Sequence, residues 1–303
     1  MSPPIEGHGY KYGHRTEVKL SPALSSYLQV APMALVLLLF FGIPLLVVIA
    51  FSFFDYDGIN TVPAFVWANY AELFASKVTL SLYFKTIYFA VIVWVITLVV
   101  GFTVAYFLVF HVRSIIWQMA LFLLCTVPFW TSNIIRMISW IPFLGRNGIF
   151  NQALMTVGVT KEPLEFLLFS DFAVIVAYVH LFTLFMIVPI FNSMARIDRA
   201  IIEAAVDAGS SRARILWDIV IPLSKTGIAL GSIFVITLVM GDFFVVKVMS
   251  GSHTASVASA MMNQIAMVQY PPAAASAVML LITVGLMVAG ILRIVDVRKE
   301  LAG

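Results

Sequence analysis

Apolar residues along this chain neither alternate nor keep to one face of a short helix; they come in long unbroken runs separated by brief polar stretches. A helix needs about 20 apolar residues to cross the hydrocarbon core of a bilayer, where each backbone polar group must find its partner within the element itself. Six segments reach that length, at approximately 30–54, 86–110, 115–138, 172–194, 227–246 and 274–294. The pattern predicts an all-α integral membrane protein with six transmembrane helices in one membrane domain, residues 30–303. The polar segment 1–29 is too long and too acidic for a signal-peptide n-region, and no A-x-A cleavage pattern follows it, so it reads as retained. At its end SPALSSYLQVAP is weakly amphipathic, which fits either an interfacial helix before the first span or an irregular tail.

Composition points the same way. Hydrophobic residues make up 62% of the chain and charged residues 11%, with a mean hydropathy of +1.03, against about 25% charged in an ordinary soluble domain. No stretch is left for a sizeable soluble domain. The single cysteine, Cys125, excludes an intrachain disulfide and a multi-cysteine metal site.

The net charge of +3 needs no nucleic acid to explain it, because cytoplasmic loops of membrane proteins collect Lys and Arg. Six spans put both termini on one side together with loops two and four. That group holds Lys11, Arg15, Lys19, Arg113, Arg196, Arg199, Arg212, Arg214, Lys225, Arg293, Arg298 and Lys299. The opposite group holds Lys77, Lys85, Arg136, Arg146, Lys161 and Lys247. Twelve against six predicts cytoplasmic termini.

Several positions inside the runs carry candidate chemistry. Pro44, Pro128 and Pro189 each free a backbone carbonyl and kink a helix unless a neighbour repairs it. The GxxxG of Gly227 and Gly231 lets helix backbones approach closely, and packing within one subunit explains it. Asp242 is the one acidic residue placed within a span, and a charge there is costly enough to be a functional candidate. It either contacts a solute or pairs with a neighbouring donor for packing. With Phe129, Trp130 and Trp140 as aromatic faces in the same pathway, it would suit a cationic amine. Arg136 and Lys247 argue the other way, as attractors of an anion or partners of Asp242, and Lys247 could equally snorkel to the interface. His180 reads as a hydrogen-bonded core histidine rather than a proton relay.

The loop before the fifth span, residues 196–225, is the most patterned polar stretch. Within EAAVDAGSSRARILWDIVIP, Ile201, Ala205 and Ala208 share one helix face, and Gly209 can take the left-handed cap. Ser210 or Ser211 can open a second helix with Ile215, Leu216, Ile219 and Val220 inward, which Pro222 ends. The expected product is helix, glycine turn, helix, parallel to the membrane. Glu203 and Asp207 are like charges four apart, which cost a helix roughly 0.2–0.5 kcal/mol; either a cationic partner or a solvated acidic face accounts for them.

This loop resembles the EAA signature of permease subunits of binding-protein-dependent ABC importers. Glu203, Ala204, Ala205, Gly209, Ile219 and Pro222 match in register, and only the leucine position departs, as Ile221. The resemblance implies a type I ABC importer permease fold in which these residues, with Asp207, form cytoplasmic coupling helices that dock on a separate ATPase. A second stretch, VPFWTSNIIRMISWIPFLGRNGIFN, resembles the spermidine/putrescine-type permeases, with a Pro-Phe-Trp, a nearby Arg and a later Asn-Gly. It implies a substrate pathway with Phe129, Trp130, Arg136, Trp140 and Asp242.

The implied role is the permease subunit of an ATP-driven importer in the bacterial inner membrane. It would form the pathway with a second, homologous permease, beside two ATP-binding cassette subunits and an external solute-binding protein. The solute expected is a polyamine or related small organic amine. The alternatives are another solute, such as an opine, an amino-acid derivative or an anion, and an ion-coupled transporter acting alone. The chain itself carries no G-x-x-x-x-G-K-[ST] loop for nucleotide phosphates and no H-E-x-x-H metal motif. No cofactor, metal or catalytic residue is therefore assigned to it; ATP and magnesium belong to the partner ATPase.

Overall fold

The structure is a computed structural model that describes residues 22–57 and 60–294. Most of the 1–29 segment and the basic residues Lys11, Arg15, Lys19, Arg298 and Lys299 lie outside the described residues. The chain divides into two compact units, 1–47 and 48–303.

The described part of the first unit is helical throughout. Helix α1 (Pro22–Leu37) passes through a π turn, Leu38–Gly42, into α2 (Ile43–Phe51). SPALSSYLQVAP is thus continuous, from Pro22 onward, with the first long apolar helix. The π turn has a cause: a proline lacks an N–H and its ring collides with the carbonyl four residues back. The widened turn, closed by the Ile43 N–H on the Leu38 carbonyl, lies just ahead of Pro44.

In the second unit the loop after this helix is ordered by aromatic packing. Strands β1 (Asp55–Tyr56) and β2 (Thr61–Val62) pair antiparallel, with Asp55 opposite Val62. Phe53, Phe65, Trp67 and Tyr70 stack with ring centroids 4.7–6.1 Å apart. Asn69 on α3 (Ala68–Ala75) donates to the carbonyls of Ser52 and Phe54 at 3.0 and 2.8 Å. Helix α4 (Lys77–Tyr106) then runs through a second π turn to His111. It starts well before the predicted 86–110 because Ser76 caps it, accepting from the Thr79 N–H at 3.2 Å.

The predicted third span, 115–138, is not one helix. Helix α5 (Ile115–Thr126) tightens into a 3-10 turn at Val127–Trp130, Thr131 is extended, and Ser132 caps α6 (Asn133–Leu144). The chain bends by 87° there. Pro128 cannot continue the hydrogen-bond ladder, and the Ser132 hydroxyl offers the backbone a new start, accepting from the Ile134 N–H at 3.3 Å. Beyond it, α7 (Ile149–Thr156) is held by Asn151, fully buried, whose carboxamide bonds the Gly145 and Leu164 carbonyls and the Leu164 N–H.

Helix α8 (Asp171–Met194) follows the predicted fourth span closely. After it come α9 (Arg199–Asp207), α10 (Arg212–Ile215), a third π turn at Leu216–Val220 and its continuation preceding Tyr270–Ile294. That continuation is α11 (Ile221–Gly241), then α12 (Phe244–Met249), α13 (Val257–Ala266) and α14 (Tyr270–Ile294). The predicted fifth span, 227–246, is displaced toward the N-terminus: the helix stops at Gly241 and Asp242 is extended, with φ −87° and ψ 129°. Among the described residues, five helices are long and apolar enough to cross a membrane, six if the bent pair counts as one crossing.

Helices α4, α8 and α11 form the core. Phe89, Val93, Thr97, Gly101 and Ala105 lie buried at intervals of four on α4, as do Gly227, Gly231, Val235 and Val239 on α11. Rows at this spacing are the ridges by which helices interdigitate. Met186 of α8 fills the space between two glycines: a Cβ on Gly101 would stand 2.8 Å from its Cγ, and one on Gly231 2.7 Å from its Sδ. A Cβ on Gly227 would stand 2.4 Å from the Pro189 carbonyl oxygen. The GxxxG therefore packs within the subunit. Lys85 and Asp171 add a half-buried ion pair between α4 and α8.

Candidate functional site

Two sites follow from this frame, the loop around α9 and a recess beside the bend between α5 and α6. Asp198 opens α9, its carboxylate accepting from the Ala200 N–H at 3.0 Å. Gly209 closes it with φ +77°, while the Gly209 and Ser210 N–H groups bond the Val206 and Ala205 carbonyls, both at 2.9 Å. This is the left-handed cap foreseen at Gly209. Ser211, rather than Ser210, caps α10 and accepts from the Arg214 N–H at 3.3 Å.

The second half of the loop departs from expectation. No boundary separates it from the fifth span; α10, the π turn and α11 form one 30-residue helix, Arg212–Gly241. Pro222 does not end the pattern because the π turn ahead of it absorbs the missing hydrogen bond, with the Ile221 N–H reaching the Leu216 carbonyl. The core-facing row of α9 also differs from the predicted Ile201, Ala205 and Ala208. Ile202 and Ala205 pack against the core, while Ile201 and Ala208 are exposed. At about 100° per residue Ile201, Ile202, Ala205 and Val206 form one apolar face about 140° wide, and tertiary packing buries only its middle, at Ile202 and Ala205.

The residues matched to the EAA pattern fall into two sets. Ala205 and Ile219 are half-buried against the core. Glu203, Ala204, Asp207, Gly209 and Pro222 are exposed, beside an exposed Trp217. Among the described residues neither Glu203 nor Asp207 forms a salt bridge.

The recess brings together Phe129, Arg136, Trp140 and His180. The Arg136 guanidinium lies 5.2 Å from the Phe129 ring centre and donates to the Asn133 carboxamide oxygen. Trp140 Nε1 donates to His180 Nδ1 at 3.1 Å, so His180 is hydrogen-bonded as expected of a core histidine, and the bond leaves Nε2 to carry the ring proton. Arg136, Trp140 and His180 line a recess of about 390 Å3. Trp130 is 76% exposed and does not line it.

Asp242 does not line this recess either. Its Oδ1 accepts from the Val245 N–H at 2.8 Å and from the Tyr178 hydroxyl at 3.4 Å, so it holds the first turn of α12 where the fifth span breaks. Sequence reasoning missed a second cavity of about 700 Å3 between α8 and α11, with Asn192, Ser193, Arg196 and Thr226 among its lining. Its signal was available as polar residues on the facing ends of two adjacent apolar runs.

Residues 112–300 match the family described as binding-protein-dependent transport system inner membrane component. The chain belongs to this family. The permease is similar to the spermidine/putrescine transport system permease protein PotB of Salmonella typhimurium (strain SL1344), at 33% identity over 257 residues, 83% of this chain and 87% of that one. PotB of Escherichia coli (strain K12) is 32% identical over 83% of this chain and 90% of its own. The inner membrane ABC transporter permease protein YdcU of the same organism is 25% identical over 69% and 71%. A chain in the crystal structure of a bacterial alginate ABC transporter, bound to a periplasmic protein carrying an alginate pentasaccharide, superposes with a TM-score of 0.66 at 14% identity. That match covers 88% of this permease and 92% of that chain. The likeness establishes the type I permease fold. As a family member the permease is a multi-pass, non-enzymatic transport subunit of a bacterial importer that works with an ATPase and a solute-binding protein.

Proposed function

We propose that this permease carries a polyamine or related small organic amine across the inner membrane, paired with a second, homologous permease, and that the α9 loop docks on the ATPase with both termini in the cytoplasm. The observation that carries the coupling role is the continuity of the loop with the fifth span. Exposed Trp217 lies on the single helix that runs on into α11, and exposed Glu203, Ala204 and Asp207 lie on α9, joined to that helix through the capped turn at Gly209. Force applied at Trp217 reaches the membrane along one helix, and force applied at α9 passes to it through the hydrogen-bonded turn at Gly209. Support for the amine comes from the relatives named for spermidine and putrescine. Phe129, Trp130, Arg136, Trp140 and Asp242 remain the pathway set; the aromatic members suit an ammonium by cation–π attraction.

The test is ATP-driven uptake of labelled putrescine and spermidine by the complete complex in proteoliposomes, with and without Gly209→Asp. Gly209 has no neighbour within 4 Å of a built Cβ, so the substitution strains the cap without a clash. Uptake is expected to fall to the level without ATP while the membrane domain stays folded. Full uptake by the variant at normal protein level would overturn the coupling role, and transport of other solutes but neither amine would overturn the solute class.

A further inference from the structure

Arg136 is the one charged side chain among the described residues that is buried, at 8% exposure. Its Nη2 bonds Asn133, but Nε and Nη1 have no acceptor among the described residues. An arginine cannot escape burial by losing its proton, and a guanidinium held out of water with unmade N–H bonds is strongly disfavoured. The surroundings offer no charged relief: the described salt bridges are Lys85 with Asp171 and Arg146 with Glu165. His180 adds another donor at Nε2, and the Thr131 and Ser139 hydroxyl protons are spent on the Pro128 and Ile135 carbonyls at 2.9 and 2.8 Å. The recess therefore holds two donor groups, the guanidinium and the His180 Nε2–H, beside neutral hydroxyl oxygens, and lacks an anionic acceptor.

Ile135, 61% exposed, borders the opening beside Arg136. A buried charge next to exposed apolar surface matches the centre of a protein interface, where a desolvated charge meets its partner. We infer that this recess receives the carboxylate of an aspartate or glutamate from the second permease, which forms an intersubunit ion pair with Arg136. The inference rests on the two-permease assembly proposed above. An amine cargo brings no acceptor for the guanidinium, and an ion pair across the two permeases neutralises Arg136 on the amine's path.

The experiment places the photo-crosslinker p-benzoylphenylalanine at Ile135, an exposed position, in the complete complex in mild detergent, and maps adducts by tandem mass spectrometry. The expected adduct lies on the second permease within a helical turn of an acidic residue. Arg136→Gln should then lower recovery of the second permease about tenfold or more, and Arg136→Lys should restore part of it. Exchanging Arg136 and the identified acid should restore more. An adduct to lipid, an adduct to a stretch of the second permease without an acid, or no adduct while that subunit co-purifies would each overturn the ion pair and leave the two-permease reading standing. Purification of the unaltered chain with no second permease would overturn both. The crosslink reads the contact even where an Arg136 variant fails to fold.

Discussion

Gly227 and Gly231 look alike in the sequence but differ in what a methyl group would meet. At Gly231 the nearest atom is the Met186 thioether sulfur, which can swing aside, whereas at Gly227 it is the Pro189 carbonyl oxygen, fixed in α8. Gly227→Ala is expected to destabilise the permease by about 1–3 kcal/mol and Gly231→Ala by less. Gly285→Ala, with open space around it, should be neutral or gain up to about 1 kcal/mol. Thermal stability in detergent, read by size-exclusion chromatography, ranks the three; equal losses at Gly227 and Gly285 would contradict the packing. Asp242 makes the complementary case. Removing its carboxylate in Asp242→Ala leaves the Val245 N–H without that acceptor, while the Tyr178 hydroxyl keeps the Asp242 backbone carbonyl at 3.3 Å, and should cost about 1–3 kcal/mol. Asp242→Asn keeps one oxygen and should cost less, a difference that the same melting measurement detects. The close-packing role of the GxxxG was legible because its cause is local. The capping role of Asp242 was not, because the apolar run hides the break after Gly241 that puts its carboxylate at the start of α12, and Tyr178 comes from another helix.

Among the elements, the long apolar runs announced themselves and their ends did not. Span 172–194 was read almost to the residue, where Ser170 and Asp171 punctuate the sequence. Span 115–138 failed because hydropathy is blind to direction: Thr131, Ser132 and Asn133 interrupt the run too briefly to lower its average, yet the axis bends by 87° there. The fusion of α10 with α11 escaped for a related reason: Pro222 normally breaks a helix, and only the π turn ahead of it lets the helix run on. Removing the proline removes the cause of that wider turn. Return to α geometry would rotate Arg212–Ile215 by roughly 100° about the helix axis relative to α11, the angle of one residue. Pro222→Ala should therefore leave the complex assembled and able to hydrolyse ATP, but lower ATP-driven uptake. Paired hydrolysis and uptake assays check this, and unchanged uptake would show that the turn is not set by the proline.

For the molecule as a whole, orientation is the property that charge counting reaches and packing does not. Cys125 is the only thiol, so Cys125→Ala gives a clean background for single-cysteine labelling. With the termini cytoplasmic, an impermeant maleimide should label Lys77→Cys in cells with an intact inner membrane and reach Ala208→Cys only after lysis; the reverse pattern would invert the topology. The α9 loop, proposed to dock on the ATPase, was legible as a motif, because its glycine and caps are sequence-local. The recess at Arg136 was legible only as a set of candidates, since its walls meet across the bend. One consequence belongs to the unbroken helix from Arg212 to Gly241. Pinned against α8 at Gly227 and Gly231, it is a lever with a fulcrum: about 22 Å of helix lies on the loop side and about 15 Å on the side of Asp242, at 1.5 Å per residue. A push on the loop thus arrives at Asp242 reversed in direction, smaller by about a third in travel and larger in force.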